Sequence, residues 1–315
     1  VSQASDQTTP EHRVVLLAGG TGGAKLARGF HSLPDCQLTV VANTGDDIEI
    51  YESRVCPDPD LVIFHLADMI NDRGWGIEGD TFHAMDQLAA IGAEAWFRLG
   101  DRDLAICLDR ARMLREGSSL TEAISHLSKS LVGPESAVLP MCDETVATQI
   151  TVNGELVPFQ EFMIKRQTDG DIEDVSFSGI NDARPTPEVF TAIQAADVIV
   201  IGPSNPAISI GPILAVPGMT KALVDSGAPK VVVSPLVAGT VIKGPTEKFM
   251  AAAGVELSPH GIAAHYEAQD VCDGLIADAP AEAVRTHVTN VLMESLEQKQ
   301  RLAEETLNFA LELAR

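Results

Sequence analysis

Two textures alternate along the chain. Continuous aliphatic or β-branched runs occupy 13–18 (RVVLLA), 38–42 (LTVVA), 197–201 (DVIVI) and 230–234 (KVVVS), and each gives way to Gly, Pro, Ser or Asn. Runs without polar alternation predict strands buried on both faces, hence a parallel sheet with its working loops at the strands' C-terminal ends. Helical periodicity appears near 80–92, 102–116, 119–131, 187–196 and 281–314. Ser119 and Glu122 stand as a capping box at the head of one of these. The C-terminal stretch is amphipathic without Gly or Pro and predicts one long helix. In 148–164 (TQITVNGELVPFQEFMI) two alternating segments flank Asn153-Gly154, a hairpin signal. The pattern predicts an α/β protein with a Rossmann-like parallel sheet core. A mainly helical insertion falls at about 70–135 and a small β excursion at about 148–180. Residues 1–12 read as a disordered tail ahead of a single domain, 13–315.

Composition narrows the partners. The chain of 315 residues has 45 acidic and 22 basic side chains, a net charge of −23. Such a surface lacks the cationic patches that nucleic acid or an anionic membrane needs. A small polyphosphate stays possible if backbone N–H groups or a divalent cation offset its charge. The five cysteines form no C-x-x-C pair, which argues against a disulfide framework or a zinc site. The polar N-terminus lacks an apolar h-region, and no run of about 18 apolar residues occurs. A reduced, cytoplasmic setting is the expectation.

Candidate chemistry gathers where predicted strands end. In VVLLAGGTGG (14–23) an apolar run breaks into Gly19, Gly20, Gly22 and Gly23 around Thr21, ahead of a helix-compatible segment. A strand turning through glycines into a helix start presents unpaired N–H groups and a positive dipole end, a phosphate cradle. The loop misses the dinucleotide fingerprint, because Lys25 stands where the third glycine belongs. It misses the P-loop, because Leu26 replaces the magnesium-binding hydroxyl. A tight turn with no ligand remains the alternative.

The second strand ends in Asn43-Thr44-Gly45-Asp46-Asp47, and Cys56-Pro57-Asp58-Pro59-Asp60 follows. Read as a stiff extended loop, the latter points Asp58 and Asp60 the same way. Four carboxylates near one phosphate loop make a candidate hard-cation site, for which Mg²⁺ suits; solvated loop acids are the bland alternative. Gly202-Pro203-Ser204-Asn205-Pro206, with Ser209 beyond it, and Ser234-Pro235 each follow a strand as rigid polar loops able to read a base edge or ribose. Trp75 and Trp96 can stack on a flat heterocycle or simply pack. No G-x-S-x-G elbow or H-E-x-x-H spacing occurs.

The segments AGGTGGAKLARG, VVANTGDD, RVCPDPD, RGWGIEGDTF, WFRLGDRDLA, LPMCDETVATQI, FQEF, IGPSNPAISIGPILAV and SPLVAG, in this order, resemble the 2-phospho-L-lactate transferase family of coenzyme F420 biosynthesis. The resemblance runs from about residue 13 to about 275. It implies a cytoplasmic homodimer that moves a phospho-lactyl, phosphoenolpyruvyl or related three-carbon group from a guanosine diphosphate donor to a ribityl hydroxyl of the deazaflavin Fo, releasing GMP. It implies Mg²⁺ on Asp46 and Asp60, with Asp47 and Asp58 in support and one of those two as a base. Gly20, Thr21, Gly22 and Gly23 would face the diphosphate; Asn43, Gly202, Ser204, Asn205, Ser209 and Ser234 would border the nucleotide. Trp75, Glu78, Asp80 and Thr81 would lie toward the deazaflavin. The family's usual loop resembles PDLDT; Pro59 and Leu61 depart from it, which bears on the metal geometry. The alternatives are a UDP-sugar or nucleotide-binding regulator of the gluconeogenesis-factor type and an NAD(P)-dependent oxidoreductase.

Overall fold

A computed structural model describes residues 11–241 and 245–314. Most of the expected tail lies outside the described residues, but His12 already belongs to the first strand. Chain order runs β1 (His12–Ala18), α1 (Gly20–His31), β2 (Cys36–Ala42), a hairpin of β3 (Ile48–Ile50) and β4 (Ser53–Val55), α2 (Pro57–Leu66), α3 (His83–Ala90), α4 (Asp101–Arg115), α5 (Leu120–Leu131) and β5 (Ser136–Pro140). A second stretch holds β6 (Ala147–Val152), β7 (Glu155–Pro158), β8 (Ile172–Ser178), α6 (Pro187–Ala195), β9 (Val198–Ile201), α7 (Gly211–Ala215), α8 (Met219–Asp225) and β10 (Lys230–Val233). The chain closes with β11 (Leu236–Val237), β12 (Thr240–Val241), α9 (Thr246–Ala252), α10 (Pro259–Glu267), β13 (Gly274–Ala277), β14 (Arg285–Val288) and α11 (Leu296–Leu313).

Seven strands form one sheet in the order β14-β13-β10-β9-β1-β2-β5, and every neighbouring pair is parallel. The order places a switch point between β1 and β9: the chain winds one way through β2 and β5, then the other through β10, β13 and β14. Open α/β sheets bind ligands in the crevice that such a reversal opens at the strands' C-terminal ends. Both faces are covered. Val14, Leu16 and Ala18 of β1 enter the core under α1, α2 and α11, while Val15 and Leu17 enter the opposite core under α6, α8 and α10. That two-sided burial is why these strands read as unbroken apolar runs. Gly29 lets α1 lie close on α11; a Cβ there would stand 2.2 Å from the Lys299 carbonyl oxygen.

The stretch 70–135 holds α3, α4 and α5, and the β excursion is a three-stranded antiparallel sheet in the order β7-β6-β8. Asn153 (φ 52°) and Gly154 (φ 73°) make its tight turn. The long C-terminal run is not one helix. Residues 285–288 pair with β13 as the edge strand β14, and the helix begins only after Ser295, which caps it in a box with Gln298. Thr286 and Val288 supply β propensity, and the box supplies a start signal that periodicity masked. Among the described residues no single helix is long and apolar enough to cross a membrane.

Candidate active site

The loops that leave β1 and β9 meet at the switch point with almost no space between them. Gly202 N–H donates to the Leu17 carbonyl at 2.9 Å, and the Ser204 hydroxyl donates to the Gly19 carbonyl at 2.6 Å. A Cβ on Gly22 would sit 2.0 Å from Pro203 O, and one on Gly23 would sit 2.9 Å from Ser204 Oγ. Glycine is therefore required at Gly22 by close approach. Gly20 has φ +63°, a left-handed turn into α1. Ser204 ties the two loops together, so its hydroxyl is already engaged. Asn205 accepts from Ala207 N–H at 2.8 Å through Oδ1, while its buried Nδ2 has no partner among the described residues.

Of the four predicted acids, Asp46 and Asp58 come together at this crevice, while Asp47 and Asp60 are drawn to arginines. Residues 57–60 are the first turn of α2, not an extended loop. Pro57 and Pro59 fit there because first-turn N–H groups have no intrahelical acceptor to lose. Helical geometry turns Asp58 and Asp60 apart. Asp58 reaches α1: Oδ1 accepts from Gly20 N–H at 2.7 Å and Oδ2 from Asn43 Nδ2 at 2.9 Å. Asp60 turns to α4, where the fully buried Arg110 guanidinium holds Oδ1 and also donates to the Arg54 carbonyl at 2.9 Å. Asp47 is held by Arg54 Nε at 2.9 Å and the Cys56 thiol at 3.1 Å.

Asp46 and Asp58 are the buried acids left without a cation among the described residues. Asp46 accepts from Thr148 Oγ1 at 3.3 Å, and Asn43 beside it also favours its charged form. Burial, and then the neighbouring Asp58 charge, push the Asp46 carboxyl well above the usual carboxylate range. Burial pushes Asp58 up to about 6 against the lowering effect of its Gly20 and Asn43 donors. Burial likewise pushes Asp47 up to about 6 despite Arg54. The β excursion braces this loop. Gln160 Nε2 donates to the Asp46 carbonyl at 2.8 Å, and Thr148 N–H to the Gly45 carbonyl at 2.7 Å.

Beside the crevice a cavity of 530 Å³ opens between α2 and the 70–135 stretch. Asp58, Asp60, Asp80 and Asp103 lie on its wall with Trp75, Phe64, Phe82 and Phe97. Trp75 is 55% exposed at the rim. Asp80 carries a structural load: Oδ1 accepts from Arg102 N–H at 2.9 Å and Oδ2 from Asp103 N–H at 3.2 Å, capping α4 across a gap of 22 residues. Thr81 donates through Oγ1 to Asp101 at 2.5 Å, and Asp101 in turn caps α3 through His83 and Ala84. Glu78 is exposed, and its carbonyl accepts from Arg102 at 2.9 Å. Neither Glu78 nor Thr81 lines the cavity. Ser234 ends β10 and accepts from Leu236 N–H at 3.2 Å, a turn role. Ser209 packs against Gly19. Sequence reasoning missed Arg54, Arg110, Thr148, Gln160 and Asp103, although Gln160 sits in FQEF and Asp103 in LGDRD.

Comparison with known proteins gives a consistent set. The family model described as 2-phospho-L-lactate transferase CofD matches residues 14–308. The chain is 40% identical over 320 residues to a phosphoenolpyruvate transferase of Streptomyces coelicolor, covering 96% of this chain and 99% of that protein. It is 37% identical over 302 residues to a 2-phospho-L-lactate transferase of Methanosarcina mazei, covering 92% and 98%. The crystal structure of a UPF0052 family member from Bacillus halodurans superposes with a TM-score of 0.63 at 21% identity, over 94% of this chain and 99% of that one, a likeness of fold.

Proposed function

The chain belongs to the 2-phospho-L-lactate transferase CofD family, and from that premise we propose that it is a transferase of coenzyme F420 biosynthesis. In this reading it moves a phosphorylated three-carbon acid from a guanosine diphosphate donor to a ribityl hydroxyl of the deazaflavin Fo, and GMP leaves. One observation carries the reading. A glycine turn at a helix start and a pair of buried carboxylates with no cation among the described residues meet at the switch point, beside an aromatic-walled cavity that Asp58 also lines.

The chain's own residues divide the work. Thr21 and Gly22 N–H groups, in the first turn of α1, have no intrahelical carbonyl and point a positive dipole end at the crevice. They suit the donor's diphosphate. Gly20 N–H is engaged by Asp58, so it orients that carboxylate instead. Asn205 Nδ2, buried without a partner among the described residues, offers a donor on the β9 side. Trp75, Phe82 and Phe97 supply flat apolar surface for a ring system at the cavity wall.

Mg²⁺ fits these residues. Asp46 and Asp58 offer oxygen donors only, repel each other and are pushed toward protonation by burial, and a hard divalent ion that also takes phosphate oxygens would offset that repulsion. Asp60 belongs less to this pair, because Arg110 already neutralises it. Bound there, the ion would supply charge stabilisation to the donor's bridging and non-bridging oxygens. Phosphoryl-type transfer asks little covalent chemistry of the protein; positioning and electrostatics suffice. The test is the purified chain incubated with Fo, MgCl₂ and each guanylylated three-carbon acid. GMP release with a matching product mass is the expected outcome; no GMP from any donor would refute the reading.

A further inference from the structure

The acceptor hydroxyl needs a group to take its proton, and four carboxylates line the cavity: Asp58, Asp60, Asp80 and Asp103. Three are already committed. Asp58 holds Gly20 and Asn43, Asp60 holds Arg110, and both oxygens of Asp80 cap α4. Asp103 differs. Among the described residues the Cys107 thiol, at 3.9 Å, is the one donor that reaches its carboxylate. That is beyond a firm hydrogen bond for most donors and weak even for sulfur. Its backbone is fixed by Asp80, so the side chain leaves the first turn of α4 from a rigid start and meets the cavity. Asp60 lies close, with one carboxylate oxygen of each within 4.8 Å of the other.

Resting on the transfer reading above, we propose that Asp103 binds the nucleophilic hydroxyl of the acceptor and receives its proton. In the step, the hydroxyl oxygen forms a bond to the phosphorus bearing the three-carbon acid. The bond from that phosphorus to the bridging oxygen breaks, GMP leaves with the electron pair, and the proton passes to an Asp103 oxygen and then to solvent. The groups facing Asp103 are Asp60 of α2, Arg110 and Cys107 of α4, and Asp80 from the loop before α3. Burial, then the Asp60 charge, hold its carboxyl up to about 7, a basicity matched to a general base at neutral pH.

The experiment compares wild type with Asp103→Asn, which keeps volume and a carbonyl acceptor, and with Asp103→Ala. Thermal melts, GDP affinity in MgCl₂ and Fo affinity by its fluorescence accompany the kinetics. Expected is a kcat loss of about 100-fold or more in Asp103→Asn, with GDP and Fo affinities within about threefold of wild type. A variant kcat within about threefold of wild type overturns the assignment. So does a loss that tracks unfolding or GDP release from both variants. A wild type without turnover refutes the transfer reading itself, whereas an active wild type with an unimpaired Asp103→Asn refutes this assignment alone.

Discussion

Gly22→Ala puts the switch-point geometry to a quantitative test. The added Cβ would stand 2.0 Å from Pro203 O and 3.1 Å from Pro203 C. A carbon–oxygen contact relaxes at roughly 3.3 Å, so the two loops must part by about 1.3 Å. They are tied by Gly202 N–H to Leu17 O at 2.9 Å and Ser204 Oγ to Gly19 O at 2.6 Å. Loosening both forfeits about 1 kcal/mol each, and forcing a methyl into packed backbone costs about 1–3 kcal/mol. A total of about 3–5 kcal/mol predicts a fall in melting temperature of roughly 5–8 °C for a chain of this size. Gly20→Ala is the internal control. Its nearest neighbour is Ser209 Oγ at 3.9 Å, so only left-handed backbone strain of about 1–2 kcal/mol applies. Differential scanning fluorimetry with and without Mg·GDP reads both effects. Gly22→Ala should melt below Gly20→Ala and gain little from the nucleotide. If Gly22→Ala melts within about 2 °C of wild type, or above Gly20→Ala, the close approach of the loops is not what holds this crevice.

Two further outcomes follow from the charge arrangement. Removing the Arg110 guanidinium in Arg110→Met strands the buried Asp60 and should cost about 3–5 kcal/mol, while adding Asp60→Leu should recover much of it; a double variant as unstable as the single, by urea unfolding, counts against the pair. Asp58 in the native state binds its proton more tightly than in the unfolded chain, whose value is near 3.8, since burial lifts it to about 6. Its contribution to stability is therefore fully present below pH 3.8 and lost as pH rises through about 6. Relative to wild type, Asp58→Asn should gain stability between pH 4 and 7 in EDTA, and MgCl₂ should cancel the trend; a pH-independent difference speaks against a strained acid here.

What was legible in the chain followed from local chemistry. The strands β1, β2, β9 and β10 announce themselves because burial on both faces leaves no polar positions. Asn153-Gly154 announces its turn because both residues tolerate positive φ. The glycine run of α1 was readable as a strand-to-helix turn, but its reason, the approach of Pro203 from 181 positions along the chain, was not. Prolines misled at 57–60. Proline disfavours helix interiors, yet α2 places both where N–H groups are orphaned. The same helix turn divides Asp58 from Asp60, giving one to the crevice and the other to Arg110, a pairing across 50 residues that no spacing encodes. The family resemblance put Asp80 and Thr81 toward the deazaflavin, but it gave no hint of their capping bonds, by which Asp80 fixes α4 from the cavity wall and Thr81 ties Asp101 at the start of α3. The edge strand β14 was hidden because its residues also fit a helical period.

The account stands on Asp46 and Asp58 gripping a nucleotide's diphosphate only through a divalent ion at the glycine turn. Isothermal titration of GDP into wild type and Asp46→Asn, each in MgCl₂ and in EDTA, measures this directly. Wild type should bind GDP at least about tenfold more tightly with magnesium, and the folded Asp46→Asn should lose that difference. Equal GDP affinity in all four titrations would contradict it.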